Sequence, residues 1–537
     1  MTVTDNRVTI AIDRGGTFTD VIFKHNTVEE TFKLLSVDPA NYKDANIEGI
    51  RRVLEKVTGK QISRSEKLDT SCISSIRLGT TVATNALLER KGAKCALVTT
   101  EGFKDLLHIG DQSRPDLFAL NIVKPGVLYE TVIEASERVT MPAFLVDPNQ
   151  YDAQDLVDGK RYVLGETKEV FEIIKPLDTE KLSADLQKIK NDGIDSIAIV
   201  FIHGYNFQEH EKLAGKIAEE VGFNHISLSH EIMPVIKTVP RGQSTVVDAY
   251  LTPIVKDYIK SFLSGFKEDF EEHTRIEFMQ SDGGLCSWRN FTGLKSLLSG
   301  PAGGVVGEAK TCYDRDVNIP IIGFDMGGTS TDVSRYAGEF EFSFESITAG
   351  IKIAAPQLDI NTVAAGGGSI LTYKNGLFFV GPESASAHPG PACYRKGGPL
   401  TVTDANLFTG RILPEFFPQI FGPNEDQALD FEVTRAKFEE LAEQINKENP
   451  GVNKTPQEIA LGFLEVANFQ MSKPIRDLTE SKGHNVTCHA LASFGGAGGQ
   501  HAGAIANILK IKKVIIHKHS SILSAYGISL ADIVSEL

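Results

Sequence analysis

The chain has 537 residues, 41% hydrophobic and 23% charged, an ordinary globular composition too long for one core, so two or more domains are expected. With 55 basic against 70 acidic side chains the net charge is −15, which argues against nucleic acid and against an anionic membrane surface as partners. Six scattered cysteines without a CxxC pair, no secretory leader in MTVTDNRVTIAID and no apolar run of 18 residues argue against a disulfide framework, a zinc ribbon and a membrane span, and make a reducing cytoplasm the expected compartment.

The chain opens with strands inside residues 8–35: VTIAID, an Arg-Gly-Gly turn, TFTDVIFK and ETFKLLSV. Ile47, Ile50, Val53, Leu54 and Val57 mark a helix over 45–57. LGTTVATNALLERKG (78–92) reads as strand end, hydroxyl-rich helix start, helix and glycine stop, and CALVTT (95–100) as a buried strand. GDQSRPDLF (110–118) is a polar turn whose Arg114 is either a carboxylate grip or, more commonly, a solvated loop arginine. Residues 141–180 read as loop. Helix 182–193, strand 196–204, helix 209–222 and strand 225–232 then alternate as in βαβ units. The apolar stripe of 244–266 predicts a helix crossing between lobes, with Pro253 as a kink. The domain boundary falls in 230–245, giving lobes of 1–235 and 236–537.

The second half repeats an α/β pattern. Residues 276–284 form a strand ending in Asp-Gly-Gly, LLSGPAGGVVGEA (297–309) a glycine-rich turn entering a helix, TVAAGGGSI (362–370) another glycine turn, and 381–399 a long Pro/Gly loop. Residues 413–428 read as a surface insertion and 460–478 as helix. ALASFGGAGGQHAGAIANIL (490–509) is strand, glycine turn and helix start, which suits the adenosine or phosphate end of a nucleotide.

The strongest signal is a duplication. IAIDRGGTFTDVI (10–22) and IGFDMGGTSTDVS (322–334) share Asp-x-Gly-Gly-Thr-x-Thr-Asp-Val, with Asp13 and Asp325 312 residues apart. Glycines let backbone N–H groups approach an anion, and the hydroxyls of Thr17, Thr19, Thr329, Ser330 and Thr331 can donate to phosphate oxygens. Asp13 and Asp325 repel a bare phosphate; they make sense if Mg²⁺ or its bound water lies between acid and phosphate. Two tight hairpin turns would account for the glycines but not for the repeated acids and hydroxyls. The pattern predicts two α/β lobes with a nucleotide in the cleft between them. Histidines offer weaker leads: His388 with Cys393, and His517 with His519 alternating along a strand, lack a third convergent metal ligand, while His203 and His501 read as structural. Glu383 is a substrate-side base or a capped loop acid.

With these stretches placed, the chain resembles the hydantoinase A / 5-oxoprolinase family, whose fold is that of the actin, heat-shock-chaperone and sugar-kinase group of two-lobed α/β ATPases. IDRGGTFTD, LGTTVATNALLER, GDQSRPDLF, FDMGGTSTDVS, AAGGGSI, GPESASAHPGPACYRKGGPLTVTDAN, SFGGAGGQHA and ILSAYGISLADIV carry the likeness from residue 10 to about 532. KLLSVDPANYKDANIEGIRRVLE is most similar to the 5-oxoprolinase branch. The resemblance implies ATP and Mg²⁺ as cofactors, phosphorylation of the lactam oxygen of 5-oxo-L-proline, and hydrolysis to L-glutamate. By motif position it implies that Asp13 and Asp325 orient Mg²⁺ through water as the two acids of the cleft. Gly15, Gly16, Thr17, Thr19, Gly327, Gly328, Thr329 and Ser330 hold phosphates, and Gly495, Gly496 and Gly498 line the adenosine. A hydantoinase or ketone-carboxylase component and a nucleotide-binding protein without turnover are the alternatives. The family's first half runs on past ADIVSEL, and a second half associated with hydrolysis follows. The chain is therefore expected to be a fragment, a truncated product or a subunit needing a hydantoinase B-type partner, with self-association open.

Overall fold

The computed structural model describes residues 7–39, 41–111, 118, 120, 126–142, 157–422, 426–449, 451 and 453–534. Arg114 lies outside them.

Two mixed sheets share one plan. In the first, the strands run Leu285–Ser287, Arg275–Met279, Ile73–Thr80, Val8–Arg14, Phe18–His25, Val28–Leu35. In the second they run Ile360–Val363, Thr331–Tyr336, Ile321–Met326, Ala490–Phe494, Lys513–Ile515. In both, a central strand makes an antiparallel hairpin on one side and a parallel pair on the other. The hairpins also share register: Asp13 faces Asp20 as Asp325 faces Asp332. The Gly15 N–H donates to the Phe18 carbonyl as the Gly327 N–H donates to the Ser330 carbonyl, both at 3.0 Å. The duplication seen in nine residues is thus a duplication of five strands. The first sheet draws on both sides of residue 235, since Arg275–Met279 pairs with Ile73–Thr80.

Strand periodicity decides which faces meet. Val8, Ile10 and Ile12 point to one core, with the helices Ala45–Thr58 and Thr238–Leu263, while Ala11 points to another. Ile322, Phe324 and Met326 pack on the outer helices Pro456–Leu478 and Gly498–Leu509, while Ile321 points the other way. Asp13 shares the parity of Ala11, and Asp325 that of Ile321. Both acids therefore face the layer between the sheets, which holds two helices, Ser299–Thr311 and Leu523–Leu530.

These helices correct two expectations. Gly300, Gly303, Gly304 and Gly307 are not a turn before a helix; they lie inside Ser299–Thr311. The bare surface they leave is what lets the second helix in: a methyl group on Gly307 would lie 2.7 Å from the Leu523 carbonyl oxygen, and one on Gly303 2.8 Å from that of Ser524. Nor is the helix expected to cross between lobes, Thr238–Leu263 with Pro253 inside it, placed between the two hairpin sheets. It is packed between the first sheet and a parallel sheet ordered His225–Leu228, Ser196–Val200, Cys95–Thr100, Thr131–Ala135. Elsewhere 225–232 is a strand only to Leu228 and then a short helix, and the described residues of 141–180 include the strand Val170–Lys175, which pairs with Tyr162–Leu164 on one side and Arg138–Thr140 on the other.

Filling the crossing should be costly. Gly307→Val is expected to lower stability by roughly 1–3 kcal/mol through overpacking, whereas Gly503→Ala, in open space on a helix, should raise it by up to about 1 kcal/mol. Urea unfolding midpoints test this; equal midpoints would show that the helix crossing is not tight.

Candidate functional site

The helix Ser299–Thr311 lies across both acids. A methyl group on Gly300 would fall 3.2 Å from Asp13 Oδ1, and one on Gly304 3.3 Å from Asp325 Oδ2. These glycines are one turn apart, so the two carboxylates approach the same helix about 6 Å apart along its axis. The hairpin tips meet as well, reciprocally. A methyl on Gly16 would lie 3.1 Å from Thr329 Oγ1, and one on Gly328 would run into the Thr17 side chain. The Gly16 and Gly328 N–H groups make no hydrogen bond among the described residues.

Charge is unbalanced here. Burial, and then Asp20, push Asp13 up to about 7; burial, and then Asp332, push Asp325 up to about 8. Burial lifts Asp332 to about 6 and raises Asp20. Glu308, one further turn along the helix and fully buried, is pushed up to about 8 by burial. Its Oε1 accepts from Ser334 Oγ at 2.7 Å, and its Oε2 fills the space left by the missing side chain of Gly323. Asp13 Oδ1 and Glu308 Oε2 are buried without a partner. Ser524 Oγ donates to Asp325 Oδ2 at 3.0 Å and Thr362 Oγ1 to Asp332 Oδ1 at 2.5 Å. Among the described residues Lys33 is the one lysine or arginine paired with any of these five acids, at 2.5 Å from Asp20 Oδ1. A buried oxygen without a partner, inside such an excess of carboxyls, has the chemistry of a cation site. No three His, Cys, Asp or Glu side chains converge as direct metal ligands among the described residues, so a cation would complete its shell with water or ligand oxygens.

The expected residues divide into two groups. Asp13, Asp325, Gly16, Thr17, Gly328 and Thr329 come together across the cleft, and Gly15, Gly327 and Ser330 build the turns beneath them. Thr19 does not reach the cleft: it is fully buried and shares a 3.0 Å hydrogen bond with Ser36, whose hydroxyl donates to the Gly15 carbonyl. Its counterpart Thr331 donates to the Ala365 carbonyl. On the third glycine turn, Gly495 packs against Asp325 with φ +81°, and a methyl on Gly498 would lie 2.9 Å from Ser493 Oγ. Gly496 in the turn, and Gly499 and Gly503 on one face of the helix that follows, instead border open space. Gly499 and Gly503 escaped the motif reading, although their i, i+4 spacing was there to see.

The glycine turn within 362–370 supports the second tip, and the Pro/Gly loop braces that turn. Gly367 N–H donates to the Gly327 carbonyl at 3.0 Å, Thr403 N–H to the Gly367 carbonyl at 2.7 Å, and Ala385 N–H to the Gly368 carbonyl at 2.9 Å. Buried Asp404 fixes that loop by accepting from the Ala392, Cys393 and Thr401 N–H groups and from the Thr401 and Thr434 hydroxyls. Tyr394 from the loop meets Phe18 of the first hairpin edge-on at 6.5 Å.

The histidines fall away from the chemistry. His501 is buried between Asn468 (2.7 Å) and Asn406 (2.9 Å), and burial holds it down at about 3. His203 packs on Phe171 and Tyr205, held below its usual value by burial. His517 and His519 lie beyond the strand Lys513–Ile515, both against Tyr526, with His519 Nε2 2.8 Å from Glu29. Cys393 is buried, while His388 and Glu383 are exposed. All six cysteines are unpaired.

Comparison with known proteins adds the following. A family model for the hydantoinase/oxoprolinase N-terminal region matches residues 9–222, and one for hydantoinase/oxoprolinase matches 241–537. The chain is 56% identical to the 5-oxoprolinase of Saccharomyces cerevisiae over 538 residues, covering 98% of this chain but 41% of that protein. It therefore spans about two fifths of that relative's length. The solved ATP-dependent caprolactamase from Pseudomonas jessenii superposes with TM-score 0.72 at 27% identity, over 98% of this chain and 71% of that one. A nucleotide-free acetone carboxylase, solved for the mechanism of ATP-dependent acetone carboxylation, superposes with TM-score 0.74 at 22% identity, over 98% and 70%. The two-lobed α/β, actin-like ATPase class expected from the motifs is the fold of this chain.

The raised carboxyls make a pH prediction. Asp13, Asp325, Asp332 and Glu308 bind their protons more tightly folded than unfolded. The stability they contribute is full below about pH 4 and is lost as pH rises through 6 to 8. The metal-free protein should melt at progressively lower temperature from pH 6 to pH 9, and Glu308→Gln should flatten that slope. A melting point independent of pH over this window would contradict the burial of these groups.

Proposed function

The chain belongs to the hydantoinase/oxoprolinase family, and from that premise we propose that it binds Mg²⁺ and ATP between its two hairpins and provides the activating half of an ATP-dependent cleavage of 5-oxo-L-proline to L-glutamate. The observation that carries this reading is the facing of two equivalent acid–glycine tips across one helix. Support for the substrate comes from the relative named 5-oxoprolinase, 56% identical along nearly the whole chain, and support for ATP from a fold neighbour named an ATP-dependent caprolactamase.

Bound ATP would supply a phosphoryl group that turns the oxygen of an unstrained, poorly electrophilic lactam into a leaving group. The chain's own task is positioning and charge neutralisation. Asp13 and Asp325 suit a cation held largely through its waters, because each offers an oxygen to the cleft beside a bare helix face. The free N–H groups of Gly16 and Gly328, with the Thr17 and Thr329 hydroxyls, suit phosphate oxygens. The open face of Gly496, Gly499 and Gly503 leaves room for the flat adenosine end. A divalent cation favours the charged forms of Asp13 and Asp325, so its binding should release protons and strengthen with rising pH. Hydrolysis of the activated lactam belongs, in this reading, to a hydantoinase B-type half or subunit, in keeping with a chain that spans 41% of its 5-oxoprolinase relative. Six unpaired cysteines suit a reducing, ATP-supplied compartment such as the cytoplasm.

Asp13→Asn and Asp325→Asn are each expected to weaken Mg²⁺-dependent ADP binding about tenfold or more without lowering the melting point at pH 8. Gly503→Gln should weaken ADP but not Mg²⁺. Calorimetric titration measures both, and unchanged Mg²⁺-dependent ADP binding in the two Asn variants would refute the site. For the substrate, ADP release should respond to 5-oxoproline rather than to hydantoin or acetone. The chain alone should release little glutamate, and a B-type half added in trans should raise it; robust glutamate release by the chain alone would refute the division of labour.

A further inference from the structure

Among the described residues Lys33 is the lysine or arginine paired with the acid cluster, and it makes two contacts. Its Nζ donates to Asp20 Oδ1 at 2.5 Å and to the Ser521 carbonyl oxygen at 2.7 Å. Asp20 is the residue across the hairpin from Asp13. Ser521 belongs to the six residues 519–524, which touch both lobes. His519 Nε2 lies 2.8 Å from Glu29 of the first sheet, the Ser520 carbonyl accepts from Gly495 N–H at 2.9 Å, and Ser524 Oγ donates to Asp325 at 3.0 Å. The lysine is itself mostly buried, with its Nζ 5.8 Å from the centre of the Phe18 ring. A positive charge in so sheltered a place acts on Asp20 and, beyond it, on Asp13, because little water screens it.

We infer that Lys33 is a positioning residue that sets the balance between cation and nucleotide in the cleft, holding Asp20 and the 519–524 segment together while opposing a divalent ion and favouring a polyphosphate. The inference rests on the proposed Mg²⁺–ATP site and adds to it a residue outside the duplicated acid–glycine motif. Its physical signature is a pair of opposite effects. Removing one positive charge makes the cleft more attractive to a divalent cation and less attractive to a nucleotide without metal. Loss of a merely structural tie would weaken both.

The test uses the whole chain, with Mn²⁺ binding followed by the resonance signal of the free ion and ADP binding measured in chelator. Lys33→Met should bind Mn²⁺ roughly three- to tenfold more tightly and metal-free ADP more weakly by a similar factor, and Lys33→Arg should restore both. Asp20→Asn should shift the two affinities the opposite way, and it decides the matter should Lys33→Met fail to fold. Affinities that fall together, or that do not move, in variants with a native circular dichroism spectrum would overturn the role of Lys33. A wild-type chain that binds neither Mn²⁺ nor ADP would instead overturn the nucleotide site itself, and this role with it.

Discussion

One helix has to pass within contact distance of two carboxylates that come from different sheets. Ser299–Thr311 does so because its lower face is bare at Gly300 and Gly304. With alanine at either position, a methyl group would press on Asp13 or Asp325 at little more than 3 Å. The same helix is bare on a second stripe, Gly303 and Gly307, for the crossing of Leu523–Leu530. Glycine in a helix costs conformational entropy, about 0.5–1 kcal/mol each relative to alanine. Four of them in thirteen residues are tolerable only because burial between two sheets holds the helix in place.

The electrostatics follow from that layer. Strand parity turns Asp13 and Asp325 toward the helix pair, and hairpin register sets Asp20 and Asp332 beside them. Glu308 arrives from the helix itself. Five carboxyls against one lysine, among the described residues, are costly in a sheltered cleft, so the protons of four of them are held up to about 6 to 8. Under the proposed function a cation and a phosphate chain would offset this excess, which destabilises the protein without them.

Much of this was legible in the sequence. The nine-residue repeat picked out both acids and both tips, whereas the side of the strand that Asp13 takes is read from the packing of Ile10, Ala11 and Ile12. What was hidden came from residues distant in sequence or chemically neutral in it. Lys33, Glu308 and Ser524 stand in recognisable stretches, but nothing there marks them out; only packing brings them to the acids. The glycines of 299–311 looked like a turn, because local propensity cannot see the helix and the carboxylates that press on them. Thr19 looked like a phosphate ligand because a hydroxyl in a repeated position carries no sign that Ser36 will bury it. The single cut at 235 reflects sequence texture, whereas the first sheet takes its strand Arg275–Met279 from the far side of it.

The central claim is that Asp13 and Asp325 serve one bound complex rather than two separate sites. A double-mutant cycle on Mg²⁺-dependent ADP affinity, with Asp13→Asn, Asp325→Asn and the pair, measures this directly. If one cation–nucleotide complex spans the tips, the double variant should lose little more than either single one, leaving a coupling well above about 0.5 kcal/mol. Losses that add within that margin would show two independent sites and contradict the account.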